Sequence, residues 1–245
     1  VAPILEAGHD VQLHLHTEWL RWIEKDIVGA RRGTNIADFS LDDQRRLLET
    51  AAEALVEAGA PRPTAFRAGN YGANNDTLKA LASLGLTHDS SYNFPYLGDA
   101  CRIEADDVLS HPVALDGVVE VPITHFEDYP RHARTLQLCA ASLSEFQAVI
   151  GQAVDQGRSA VVVVSHSFEL LNLKRTRANR MLLKRFDDVC ALLQAMKPRI
   201  VSATFRALPD LRSGADASKP LTSNPVRTAW RMIEQSVGSY FYDRA

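Results

Sequence analysis

Val11-Gln12-Leu13-His14-Leu15-His16 alternates apolar and polar positions and runs on into Thr17-Glu18. A period of two is the period of a β-strand, in which alternate side chains share a face, so His14 and His16 point the same way. Val11, Leu13 and Leu15 make the segment the exit of a buried strand. A helix follows: Ser40 caps it with Asp43 at the third position, Leu47, Leu48, Ala51, Ala52, Leu55 and Val56 form one stripe, and Gly59 ends it. The alternation then repeats. Thr64–Arg67 reads as a strand, Asp76–Leu84 as a helix stopped by Gly85, and Thr87–Ser90 and Val118–Ile123 as strands. Ser142, with Glu145 at the third position, caps a helix over Leu143–Gln156. Ala160–Ser165 carries four consecutive valines, the pattern of a strand buried on both faces. A helix over Asn179–Met196 and a strand over Ile200–Thr204 complete the pattern. Strand–helix alternation predicts an α/β fold with a mainly parallel sheet, open or closed into a barrel. In both forms the functional groups gather at the C-terminal ends of the strands.

Bulk composition narrows the function classes. The chain has 245 residues, 46% hydrophobic and 23% charged, with a formal net charge of -3. That suits one large globular domain, and the scattered basic residues argue against a nucleic-acid groove. Lys174, Arg175, Arg177 and Arg180 form the densest basic cluster, a solvated face or a contact for an anionic substrate. Cys101, Cys139 and Cys190 are too far apart for a disulfide framework or a cysteine-rich zinc site. Unpaired thiols point to a reducing, cytoplasmic setting, and no apolar run is long enough to span a membrane. The chain opens on Val1 and not on Met, which leaves a preceding segment or a secretion signal open.

The strand ends supply candidate chemistry. His14, His16 and Glu18 offer two imidazoles and a carboxylate, donors suited to a borderline divalent cation such as zinc, although paired polar residues at a strand end share that spacing. Arg67 and Asp89 end their own strands, and His166 ends the valine run. A bound cation would lower the pKa of a water, His166 would donate a proton to a leaving group, and Arg67 would orient a carboxylate or support negative charge. Together these describe metal-assisted hydrolysis of an ester or amide. Trp19 and Trp22 fit stacking on a sugar ring, and their spacing equally fits a helix packing on the body.

Gly8-His9-Asp10-Val11 through His14, Phe66-Arg67-Ala68-Gly69-Asn70-Tyr71-Gly72, Leu81–Gly85, Asp89-Ser90-Ser91 and Val163-Val164-Ser165-His166-Ser167 follow one another in an order that resembles the polysaccharide deacetylases. These form the NodB-homology family, carbohydrate esterase family four. The resemblance spans about residue 5 to residue 206. It implies a distorted (β/α) barrel and metal-dependent removal of an acetyl group from an N-acetylated sugar. By position, His14 matches the first histidine of the metal motif, and Glu18 stands where the second would be, with His16 as the alternative ligand. Arg67 matches the arginine that orients the catalytic base, and His166 the general acid. Asn70, Tyr71, Asp89 and Trp19 are expected at the carbohydrate substrate. The family's first motif, two aspartates on an earlier strand, has no counterpart here. The first strand–helix unit is therefore expected to be missing, the chain being a piece of a longer protein or a degenerate member. One deacetylase-like barrel domain is expected over 1–210, a linker over 211–227, and a helix over 228–245 that packs back on the body.

Two other readings compete. His14-Leu15-His16-Thr17 also resembles the opening motif of amidohydrolase-like and phosphoesterase barrels, which need further ligands at later strand ends, such as His88, His111, His125 or His132. A non-catalytic sugar-binding protein on the deacetylase frame would account for Glu18 and the absent aspartates. Retention of Arg67 and His166 argues against it.

Overall fold

The computed structural model describes residues 1–24, 27–29, 31–208, 219–238 and 240. The chain divides into two compact units, Val1–Pro122 with Ala203–Ser213, and Ile123–Ser202 with Gly214–Ala245.

The first unit opens with a short helix α1 (Ala2–Glu6) and builds a five-stranded sheet. Strands β1 (Leu13–Leu15), β2 (Ala65–Ala68), β3 (His88–Asp89), β4 (Val113–Leu115) and β5 (Val118–Glu120) lie in the order β1-β2-β3-β5-β4. β1, β2, β3 and β5 run parallel, and only β4 is antiparallel. Helix α2 (Leu41–Glu57) joins β1 to β2, and helix α3 (Asn75–Ser83) joins β2 to β3. α2 starts where Ser40 accepts a hydrogen bond from the Asp43 backbone N–H, and it buries Leu47, Leu48 and Ala52. α3 has a reciprocal cap, Asn74 with Thr77. Leu13, Phe66, Ala68, Leu78, Leu81 and Val118 form the core between helices and sheet. The α/β class and the parallel sheet stand as expected. Among the described residues the sheet does not close into a barrel.

Phe205 and Arg206 belong to this unit although they come late in the chain. The Arg206 backbone N–H and Nε donate to the two Asp10 carboxylate oxygens, at 3.1 and 3.2 Å, and Nη2 donates to the Arg62 carbonyl. Phe205 packs on His88.

The second unit pairs β6 (His125–Tyr129) with β7 (His132–Thr135) as an antiparallel hairpin, which the periodicity did not foreshadow. Helices α4 (Leu143–Asp155), α5 (Arg180–Ala195) and α6 (Pro225–Gly238) complete it. Phe126, Leu136, Phe146, Val149, Ile150, Val189 and Leu221 form its core. α4 carries the expected capping box, Ser142 with Glu145. α6 docks through a polar face: the buried Arg231 donates to Asp128 at 2.7 Å and to Glu145 at 3.2 Å.

Two expected strands are absent. In the valine run only Val164 forms a bridge, to Gln137, and Val161–Val163 are half-buried. Its hydrogen bonds go to Leu136 and Leu138 on one side, and Val162 N–H goes to the Thr124 hydroxyl, so no ladder of strand length forms. Val201 is 71% exposed, and Ile200–Thr204 has no strand partner among the described residues. Residues 211–218 of the expected linker lie outside the described residues. Its last part packs on the hairpin, with Glu127 N–H donating to Leu221 O and Ser223 N–H to Glu127 O. α6 begins at Pro225, a residue suited to the first helical turn, and the end of the expected helix also lies outside the described residues.

Candidate functional site

In the first unit the C-terminal ends of β1 and β2 bring His14, His16, Glu18, Asn70 and the Arg67 backbone together. The strand period does what the sequence predicts: the His14 and His16 rings meet edge to face, centroids 4.8 Å apart. His14 Nδ1 lies 2.8 Å from the Arg67 carbonyl oxygen. That oxygen only accepts, so Nδ1 carries the hydrogen of this bond. Glu18 sits in the 3-10 turn Thr17–Trp22, where Asn70 Nδ2 donates to one of its oxygens at 2.7 Å and the other lies 3.4 Å from His16 Nδ1. Burial alone would raise the Glu18 pKa. The Asn70 hydrogen bond, its own backbone and His16 outweigh that, so Glu18 is held below the ordinary glutamate value as a carboxylate.

The loop after β2 is tightly built. Asn70 and Tyr71 both take positive φ, 55° and 58°, a strained choice for tyrosine. A Cβ on Gly69 would stand 2.7 Å from the His16 ring and from the Leu15 carbonyl, so the close approach of the two strand ends requires glycine. Trp19 and Trp22 are 64% and 75% exposed, which overturns packing of this pair on the body.

Behind this surface lies a buried charged cluster. Arg67 donates through Nε to Ser90 O at 3.0 Å and through Nη2 to Ser90 Oγ at 2.9 Å. Burial pulls its pKa down, against the opposing pull of the neighbouring acidic groups Tyr71, Asp89 and Glu120, and a guanidinium remains a cation. Asp89 accepts from the Ser91 backbone N–H and hydroxyl, and Ser91 in turn accepts from Ala68 N–H. Asp89 has no exposed surface, which corrects its expected contact with substrate: its carboxylate holds the loop after β3.

The residues present do not make a three-donor metal centre. His14 is oriented as metal-ligating histidines are, but His16 and Glu18 face each other and Asn70 holds Glu18. Among the described residues no group of three or more His, Cys, Asp or Glu is placed to hold a metal ion.

In the second unit His166 precedes the 3-10 turn Ser167–Leu170. Its Nδ1 lies 2.7 Å from Glu169 Oε1, an oxygen that also accepts from Gln137 Nε2. Glu169 is almost wholly buried, and Phe168 stacks on the His166 ring, centroids 5.0 Å apart, beneath the Arg175 guanidinium. Burial and the neighbouring Glu169 push the Cys139 thiol up to about 12, so it stays protonated. Glu169 escaped the sequence reading, although its i,i+3 spacing from His166 in a turn was the available signal. Glu120, a lone acid in the apolar run Val118–Val121, escaped it too.

No family model and no curated protein matches the chain. A solved structure does resemble it. This is a Mycobacterium smegmatis protein provisionally described as a polysaccharide deacetylase, with 22% identity, 82% of this chain and 69% of that one covered, and a TM-score of 0.45. A likeness of that size carries no weight for the site, whose reading rests on its own residues. No helix among the described residues is long and apolar enough to cross a membrane.

Proposed function

We propose that the chain is a hydrolase of the deacetylase type that cleaves the acetamide of an N-acetylated carbohydrate. The observation that carries this reading is the His166–Glu169 pair. An imidazole whose Nδ1 rests on a nearly buried carboxylate is oriented to present Nε2 as an acid–base group. His166 takes a proton from the water as its oxygen adds to the acyl carbon, and hands that proton to the leaving nitrogen as the carbon–nitrogen bond breaks. The parallel β1-β2-β3-β5 order is compatible with an arc of the distorted barrel that the family resemblance implies. Three unpaired cysteines agree with a reducing, cytoplasmic setting. Zinc is not assigned a step, because the described donors do not fit it.

The donor geometry, together with the exposed Trp19 and Trp22, favours a second reading, a sugar-binding protein without turnover. Acetate release from N-acetylated oligosaccharides, measured with and without added zinc, separates the two. The hydrolase reading expects release by the wild type and a loss of about a hundredfold or more in His166→Ala. Saturable quenching of tryptophan fluorescence by the same sugars with no release would overturn it in favour of the binder.

A further inference from the structure

Glu120 and Asp89 occupy paired register positions on β5 and β3, and neither has any exposed surface. Glu120 Oε1 accepts from the Tyr92 backbone N–H at 3.0 Å, while Oε2 is buried without a hydrogen-bond donor. Asp89 already takes both of its donors from Ser91. Among the described residues, the cation whose charge is felt by the cluster is Arg67, which spends Nε and Nη2 on Ser90. Two ionised carboxylates side by side with a single guanidinium would leave a net buried negative charge, which costs several kcal/mol. A proton between them removes that charge and gives Glu120 Oε2 a bond to make.

We propose that Glu120 is held as a neutral carboxylic acid in the folded protein, its Oε2–H donated to Asp89, and that this proton keeps Arg67 and the Ser90–Tyr92 loop in register at the strand ends. Glu120 is thus a positioning residue, and only its link to turnover rests on the hydrolase reading. Burial, then the adjacent Asp89 charge, raise Glu120 well above the ordinary glutamate value, and burial also raises Asp89 against the pull of Ser91 and Arg67. The other titratable groups facing the pair are Tyr92 and Cys101, both pushed up by burial and so neutral. Tyr71 faces Arg67.

The sign of the linkage follows. A carboxyl whose pKa is raised on folding stabilises the native state fully at low pH and loses that contribution as pH rises through its folded value. Glu120→Gln replaces the acid by an amide that keeps both hydrogen bonds, donating to Asp89 and accepting from Tyr92. Relative to this variant, the wild-type unfolding constant should rise by roughly tenfold per pH unit above the ordinary glutamate range until the pair ionises.

The test is infrared spectroscopy of the full chain at neutral pH, with urea titrations across pH and the pH profile of acetate release. Expected are a protonated-carboxyl band in the wild type that Glu120→Gln removes, a flatter stability profile in the variant, and loss of any alkaline decline in turnover. A wild type without that band, or a variant with the band or the pH slope unchanged, overturns the proposal. If acetate release is absent from both proteins, the hydrolase reading fails while band and slope still decide the proton. Glu120→Ala serves as a control: it removes the donor from Asp89 and should destabilise far more than Glu120→Gln at neutral pH. Equal loss in both variants also overturns the assignment.

Discussion

Arg231→Met tests how the second unit is held together. Arg231 is 2% exposed and joins Asp128 to Glu145, whose side chains are both fully buried. Removing one member of a buried ion pair typically costs about 3–5 kcal/mol, because the remaining charge keeps its desolvation and loses its partner. Here the two carboxylates do not become orphans. Asp128 keeps His132 Nδ1 at 2.5 Å and Arg134 Nε at 2.9 Å, and Glu145 keeps the Ser142 backbone N–H at 2.8 Å. The loss therefore belongs at the low end, about 3 kcal/mol, a large share of a typical domain's stability. Urea denaturation at pH 7 measures it as a lower midpoint at constant slope. Acid supplies a second signature. Burial would raise the Asp128 pKa, but His132 and Arg134 outweigh it and hold the group below the ordinary aspartate value. Such a carboxylate stabilises the fold above its unfolded value, near pH 4, and loses that contribution as pH falls through its folded value. Without Arg231 the depression shrinks, so the gap between variant and wild type should narrow below about pH 4. A loss under about 1 kcal/mol at pH 7, or a gap that stays constant into acid, would refute the reasoning.

Gly69→Ala should cost about 1–3 kcal/mol, because the new methyl meets the Leu15 carbonyl as well as the His16 ring, and backbone gives way poorly; a urea midpoint equal to wild type would show that the strand ends can separate. After dialysis against trace zinc, elemental analysis should find less than one zinc per chain, since Glu18 is engaged by Asn70. Stoichiometric zinc that falls in Glu18→Gln would mean that Glu18 leaves Asn70 for the metal. His125 has its pKa lowered to about 4, by burial first and then by Arg158, so it stays neutral in the folded protein. The stability it contributes is present above its unfolded value, near 6.5, and is lost as pH falls toward 4. His125→Asn should flatten the urea midpoint across that window, and an unchanged slope would place the titration elsewhere.

What the sequence disclosed was what is settled locally. Ser40 with Asp43 and Ser142 with Glu145 are caps written within four residues, and the helices begin where they stand. The His14–His16 convergence needed only the strand period. The valine run failed for the opposite reason. Its composition favours a strand, but a ladder needs neighbours, and Val164 finds one bridge while Val162 meets a hydroxyl. Asp89 was legible as a polar strand end but not as a buried one, because its burial depends on Glu120 arriving thirty-one residues later in the chain. Glu169 was hidden by a turn that no periodicity marks.

The return of Phe205 and Arg206 to the first unit has a consequence for biosynthesis. Domains fold as units, N-terminal first, while the chain is being made. The first unit cannot follow that order to completion, because the partner of Asp10 is translated only after residues 123–202 of the second. During that interval Asp10 and the Arg62 carbonyl must rely on water or on Gln12, which donates to both Asp10 oxygens. Ribosome-bound chains that stop short of Arg206 are thus the species in which the first sheet is most open to proteases and chaperones.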